Sequence, residues 1–433
     1  MIPGHKLNIP KHIMPVICIV LIQFLPKNGV SLKLYLICIM LWILVIQKGT
    51  THLERIDVGN AYYSFTFFTS LLIHAYGGSI AAALSFFGFF VCVPTIIKKR
   101  IWNRDDFDRI ISLMLILFTL YAIFGIIESF TRFNLVDILF NRSVVSGGAN
   151  EYRGGLYRGH GSLTVSINNA IFVNLAWAIA NYKLCNTKKN RIFWAFVWFL
   201  IGLDVILILS RTVIAVGVLM QMMLFRKQGV TWISKRIMVI VPILIIISWF
   251  NVDTVSAIKG TVDSLFYPII NELLGTSFSA STEHVFQGSG QRFQLWNWIF
   301  ESVKKNLIFG KGFTDPFSYV FESSILSGQY AGTKYMAVKT SIEVHWLYVL
   351  YQKGIFGLSG FIAFQIGCLK KTMMKGVHTF EETLSFQYVM KIITISYFII
   401  LFTCSGSEDL YFFYMLMGLY GAYLKTCANE RGK

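Results

Sequence analysis

The stretch Ile110–Ile127, IISLMLILFTLYAIFGII, decides what kind of fold this chain adopts. It contains no charged residue and no proline. As a helix rising 1.5 Å per residue, it comes close to spanning the ~30 Å hydrocarbon core of a bilayer. Working outward, similar apolar runs bounded by charge or by Gly/Pro breaks recur near residues 13–25, 32–47, 61–76, 79–97, 110–127, 164–181, 192–209, 211–226, 237–250, 354–369, 388–403 and 409–425. Hydrophobic residues make up 55% of the 433 positions and charged ones 14%, against roughly 25% charged in soluble globular domains. The sequence therefore predicts an all-α, polytopic membrane protein with about 12 transmembrane helices.

The formal net charge of +17 would suit a nucleic-acid partner if it formed one face, but it falls in short clusters between the runs. Lys6 and Lys11 precede the first run, and Lys48 and Arg55 follow the second. Further clusters are Lys98–Arg100 with Arg104 and Arg109, Lys183 to Arg191, Arg226 to Arg236, Lys370 to Lys375, and Lys425 to Lys433. They occupy alternate loops, as the positive-inside rule requires for cytoplasmic termini, with Lys27 and Lys33 a minor exception. The first run ends at Pro26–Lys27 without a small-residue cleavage site and is expected to be a span rather than a signal peptide. The seven cysteines form neither a disulfide framework nor a metal-ligand spacing. Neither a metal nor a cofactor is expected.

The same parity places two long loops on the outer side, 128–163 and 251–344. The chain thus divides into spans one to nine over 1–250, including the first outer loop, a large periplasmic loop over 251–344, and a re-entry segment with spans ten to twelve over 345–433. Within the large loop, GSGQRFQLWNWIFESVKKN predicts an amphipathic helix near 290–305, with Phe293, Trp296, Ile299 or Phe300, and Val303 at helical spacing and Ser289 as N-cap.

Several polar residues fall at the outer ends of the spans. In YRGGLYRGHGSLTVSINNA these are Arg153, Arg158 and His160. In ILILSRTVIAV, Ser210 and Arg211 occupy a turn too short to leave the membrane interface. Arg292 opens the loop helix, and His345 stands at re-entry in EVHWLYVLYQKGIFGL. An arginine near a membrane end is commonly a snorkelling anchor, which suits Arg153 and Arg158, but an outward, nearly loopless Arg211 opposes the usual charge bias. A single histidine is more often a packing residue than a catalyst, and His160 and His284 are read that way. Asp204 lies inside a span and is either a site residue or a partner for a neighbouring helix. Converging arginines suit anion capture, because the guanidinium matches phosphate oxygens and stays charged. The chain has no Asp-x-Asp metal motif and no Gly-rich phosphate loop, which argues against a cytosolic nucleotide-sugar transferase.

SRTVIAVGVL at Ser210–Leu219, QRFQLWNWIFESVKKNLIFGKGF at Gln291–Phe313 and VHWLYVLYQKGIFGL at Val344–Leu358 together resemble the O-antigen polymerase and O-antigen ligase superfamily. Members of that family have twelve spans and a large external loop between spans nine and ten. The resemblance implies that Arg211, Arg292 and His345 are catalytic, and that Ser210, Arg158, Arg211 and Arg292 bind pyrophosphate or glycan, with Gly310 and Gly312 forming the turn after the loop helix. Trp346 stands where the family usually has Asn, and Leu307 where it commonly has Pro.

The activity so implied is metal-independent glycosyl transfer at the periplasmic face of the bacterial inner membrane. The donor would be an undecaprenyl-pyrophosphate-linked oligosaccharide. The acceptor would be a second lipid-linked repeat unit in a polymerase of surface polysaccharide, or lipid A-core in a ligase. Further partners would be membrane lipid, a flippase and a chain-length regulator, with no nucleic acid. A transporter of lipid-linked sugars is the rival from another class.

Overall fold

In the computed structural model the described residues are 58–74, 86–101, 103–139, 152–153, 156–163, 166–226, 295–312, 319–324, 334–339, 344–373, 382–403 and 411–431, with isolated positions 17, 18, 20, 83 and 342. They form a helical bundle carrying two small antiparallel hairpins. The helices are α1 (Val58–Ile73), a π-helical turn (Phe87–Cys92) that runs into α2 (Val93–Arg100), α3 (Arg104–Thr131), α4 (Leu135–Leu139), α5 (Ser166–Asn186), α6 (Arg191–Leu207) and α7 (Arg211–Arg226). They continue with α8 (295–303), α9 (His345–Met373), α10 (Phe386–Thr403) and α11 (Tyr411–Arg431). The hairpins pair β1 (Tyr152–Arg153) with β2 (Leu156–Tyr157), and β3 (Tyr319–Ser324) with β4 (Lys334–Lys339).

The all-α class holds, and helices occupy nine of the twelve expected spans among the described residues. Two of them, α3 and α9, are long and apolar enough to cross a membrane by length and composition; α7 and α10 are apolar but shorter. The expected spans near 32–47 and 237–250, and nearly all of 13–25, lie outside the described residues.

Helix α3 starts at Asn103, whose side chain accepts from the Asp106 amide at 2.7 Å, and its first turn carries Asp105 and Asp106. A capping oxygen and acidic residues both complement the unpaired amides and the positive dipole end of a helix start. Arg132, in the left-handed region at φ 62°, closes it. Along one face of α3, Leu113, Ile116, Leu120, Ile123, Phe124, Ile127 and Phe130 are exposed, while Ile110, Ile111, Met114, Leu115 and Phe118 are buried on the other.

Helix α1 lies against α9 at a seam of small residues. A Cβ on Gly59 would stand 2.6 Å from the Ala363 carbonyl oxygen, and Gly360 faces Thr66. Such positions let helix backbones approach closely. Tyr63 seals the seam, with ring centroids 5.4, 5.5 and 5.2 Å from Phe86, Phe90 and Phe364. Between α5, α6 and α7, Gln221 Oε1 accepts from Asn181 Nδ2 at 2.7 Å and Trp198 Nε1 at 3.2 Å.

The two ends of the bundle differ chemically. At one end, Lys183 at the close of α5 meets Asp108 near the start of α3 at 2.6 Å. Nearby, the carboxylate of Glu382 accepts from Tyr182 at 2.8 Å and Tyr423 at 3.1 Å and pairs with Arg104 at 3.5 Å. Burial pushes the Glu382 carboxyl upward despite these donors. Tyr388 at the start of α10 bonds the Met223 carbonyl at the close of α7, and Tyr420 bonds that of Lys371. These contacts bring the basic clusters around Arg104, Lys183, Arg226, Lys370 and Lys425 to one end. The opposite end gathers the close of α3, α6 and α10 with the start of α5, α7 and α9.

Candidate functional site

The second end is built from segments far apart in sequence. The chain segment 158–162, between β2 and α5, folds over the last turns of α3. The Glu128 carboxylate accepts the amides of His160 at 3.1 Å and Gly161 at 3.0 Å, and lies 3.0 Å from His160 Nδ1. The other ring nitrogen, Nε2, is 2.9 Å from Asp137 Oδ2 on α4. Asn134 caps α4 by accepting from the Asp137 amide at 3.0 Å and donates to the Gly161 carbonyl at 2.9 Å. Gly161 has φ 56°, and a Cβ there would collide with the Tyr121 hydroxyl. That hydroxyl donates to Asn169 at 2.7 Å and accepts from the Ser162 amide at 3.0 Å.

A histidine with a carboxylate at each nitrogen is held as imidazolium, because both N–H groups then donate to negative acceptors. Burial works against the charge on His160, but the hydrogen bonds and charges of Glu128 and Asp137 outweigh it and raise the imidazole above its ordinary 6.5.

Arg158, 8% exposed, extends from this segment to the other side of the end. Its Nε donates to the Ile208 carbonyl at 3.1 Å, in the turn between α6 and α7. In that turn Leu209 takes φ 54°, a left-handed conformation that costs a non-glycine residue about 1–2 kcal/mol. Leu209 is fully buried, so packing on all sides holds it there. The turn leads directly into Ser210, whose carbonyl accepts the first bond of α7 from Ile214 at 2.8 Å, and into Arg211, which opens that helix. The structure thus brings Arg158 together with the Ser210–Arg211 turn. The Arg211 side chain, Arg292 and the side chain of Arg153 lie outside the described residues.

His345 opens α9, 1% exposed, with its ring 5.1 Å from Phe361 and 6.1 Å from Tyr348. Its neighbour Trp346 stacks edge-on to Phe402 at 5.5 Å, and Trp296 of α8 lies 5.7 Å from the same ring. Phe402 is at the close of α10. Because α10 packs on α7 and its start meets the close of α7, the close of α10 lies toward Ser210. His345 and the start of α7 therefore share the end of the bundle on which Arg158 stands.

Helix α8 is fixed to α9 from below. After it the chain turns through Gly310 at φ 72° and Gly312 at φ 91°. The Lys311 and Gly312 amides donate to the Tyr351 and Gln352 carbonyls at 2.8 and 3.0 Å, and the Ile355 and Phe356 amides donate back to Leu307 and Ile308 at 2.9 and 3.0 Å. This exchange fits into a break in α9 at Gly354, φ 64°.

Asp204 is fully buried in α6; a Cβ on Gly125 of α3 would stand 2.5 Å from its Oδ1. Neither oxygen finds a hydrogen bond among the described residues. Of the polar residues at this end, the sequence did not single out Glu128, Asn134, Asp137 and Tyr121, and read His160 as packing. The available signal was Glu128 itself, a carboxylate closing an otherwise uncharged run. Its partners are 32 and 33 residues away and carry no periodicity. No protein-family model matches this chain, and no curated protein matches it.

Proposed function

We propose that the chain is a multi-pass membrane glycosyltransferase of about twelve spans. It lies in the bacterial inner membrane with both termini cytoplasmic, and acts at the periplasmic face on an undecaprenyl-pyrophosphate-linked oligosaccharide. The observation that carries this reading is the buried Arg158 guanidinium on the strained turn that presents Ser210 and Arg211. A second support is that the basic clusters gather at the far end, as expected of a cytoplasmic face. A third is the exposed apolar face of α3, which suits lipid and would be a liability in water.

In this reading Arg158, Arg211 and Arg292, with Ser210, hold the pyrophosphate. Their charge offsets the negative charge that develops as the bond from C1 of the donor sugar to the phosphate oxygen breaks. His345, as neutral imidazole, accepts the proton of the attacking acceptor hydroxyl. The hydroxyl oxygen forms the new bond to C1, and the lipid pyrophosphate leaves with its electron pair. The acceptor is a second lipid-linked repeat in the polymerase reading, which we place first, and lipid A-core in the ligase reading. The glycans of a deletion strain separate the two: single repeats attached to lipid A-core indicate a lost polymerase, and long chains stranded on the carrier lipid indicate a lost ligase. The Arg211→Ala, Arg292→Ala and His345→Ala variants are expected to abolish surface polysaccharide at normal protein level. Full activity of Arg211→Ala would remove the assignment.

A transporter of lipid-linked sugars is the second reading, favoured by Lys353. This residue is 1% exposed within the bundle, with Nζ 4.6 Å from the Phe67 ring centroid. Movement of intact donor across vesicles without new glycosidic bonds would establish it.

A further inference from the structure

We propose that His160 is a positioning residue: its imidazolium, held between Glu128 and Asp137, fixes the 158–162 segment so that Arg158 stays on the α6–α7 turn. The anion-binding half of this proposal rests on the pyrophosphate reading above; the structural half does not. The His160 side chain ties its segment to two helices, with Nδ1 at Glu128 of α3 and Nε2 at Asp137 of α4, and its backbone amide also donates to Glu128. Arg158, two residues earlier, crosses to the Ile208 carbonyl. The geometry of Arg158 is thus set by an anchor that does not itself reach the turn.

The groups facing His160 determine how the clamp responds to pH. From α3 comes the Glu128 carboxylate and, further in, the neutral Tyr121 hydroxyl. From α4 comes Asp137. The residue's own segment supplies the Tyr157 hydroxyl, 3.3 Å from Nδ1, and Arg158. Helix α5 supplies the neutral Asn169, which donates to the Gly159 carbonyl at 3.3 Å, and α6 supplies Asp204 beside Gly125. The surroundings of the imidazolium are acidic on two sides. When the ring loses its proton, one of its nitrogens turns a lone pair toward a carboxylate, and that arm of the clamp becomes repulsive.

The ring titrates above its ordinary 6.5 in the folded chain. The clamp's contribution to stability is therefore fully present below about 6.5 and is lost as pH rises through the folded value. The acidic side of this range leaves Arg158 fixed; the alkaline side frees it.

The test uses the full chain in detergent micelles, with two measurements between pH 5.5 and 9. The first is thermal unfolding of the wild type, His160→Gln and Asp137→Asn. The wild-type midpoint is expected to fall as pH rises above 6.5. His160→Gln is expected to lose that fall, and Asp137→Asn, which removes one carboxylate and keeps the ring, to move it to lower pH. A fall of equal size and position in all three would overturn the clamp.

The second measurement is equilibrium binding of undecaprenyl pyrophosphate. Wild-type affinity is expected to weaken about tenfold or more across the same window, the scale of a displaced charged hydrogen bond. His160→Gln is expected to bind weakly at every pH. Wild-type-like binding by His160→Gln would overturn the positioning role. Absence of binding by the wild type at any pH would instead remove the pyrophosphate reading, and the unfolding measurement would still decide the clamp.

Discussion

Arg158 and Tyr121 show how single residues determine this end of the bundle. Arg158 is nearly buried and bonded through Nε, so its fork of donors is held in one orientation. Lysine carries the same charge on a flexible stem without that fork. Arg158→Lys is therefore expected to keep the fold and lose most of its activity, read as surface polysaccharide in cells and as turnover in the purified protein; wild-type turnover would show that only charge is needed. The Tyr121 hydroxyl serves both Asn169 and Ser162. Its removal in Tyr121→Phe leaves a buried amide and a buried amide oxygen short of a partner, at about 1–3 kcal/mol, measurable as a lower unfolding midpoint. Much of this was hidden from the sequence. Arg211 stands out because an outward, nearly loopless cation breaks a known bias, whereas Arg158 taken alone reads as a snorkelling anchor. Glu128 and Asp137 do not stand out, and His160 reads only as a packing residue, because their partnership is formed by a loop folding back over 23 to 33 residues.

Among elements, α9 and the turn after α8 are interdependent. The sequence predicted a span at 354–369 with re-entry at His345. The backbone breaks at Gly354, where that span was expected to begin, with a helical segment from His345 on one side of the break and Lys353 covered by the Phe67 and Tyr63 rings. Four amides exchanged with residues 307–312 occupy that break. A Cβ on Gly310 would stand 2.5 Å from the Gly354 amide nitrogen, at a φ that L-residues avoid. Gly310→Ala is expected to destabilise the protein by at least about 1–2 kcal/mol and to loosen α8, with protease cleavage near residues 295–312 as the readout; unchanged cleavage and stability would show that the interlock does not hold α8.

Across the whole molecule, the helices were legible because charge and glycine bound each apolar run, and the alternation of basic loops anticipated which helix ends meet. The Lys183–Asp108 pair and the Glu382 cluster are where that alternation becomes packing. Reporters fused after Lys433 and inserted near residue 145 are expected to show opposite sides, cytoplasmic and periplasmic respectively; the same side for both would remove the topology.

Glycosyl transfer from a lipid pyrophosphate is tested most directly in a reconstituted reaction. Purified full-length protein is given undecaprenyl-pyrophosphate-linked repeat units in excess chelator, and the lipid-linked products are separated by length. Longer lipid-linked glycans with matching release of undecaprenyl pyrophosphate are expected from the wild type and not from Arg211→Ala or His345→Ala. Intact starting donor after incubation with folded wild type, both alone and with lipid A-core supplied, would contradict it.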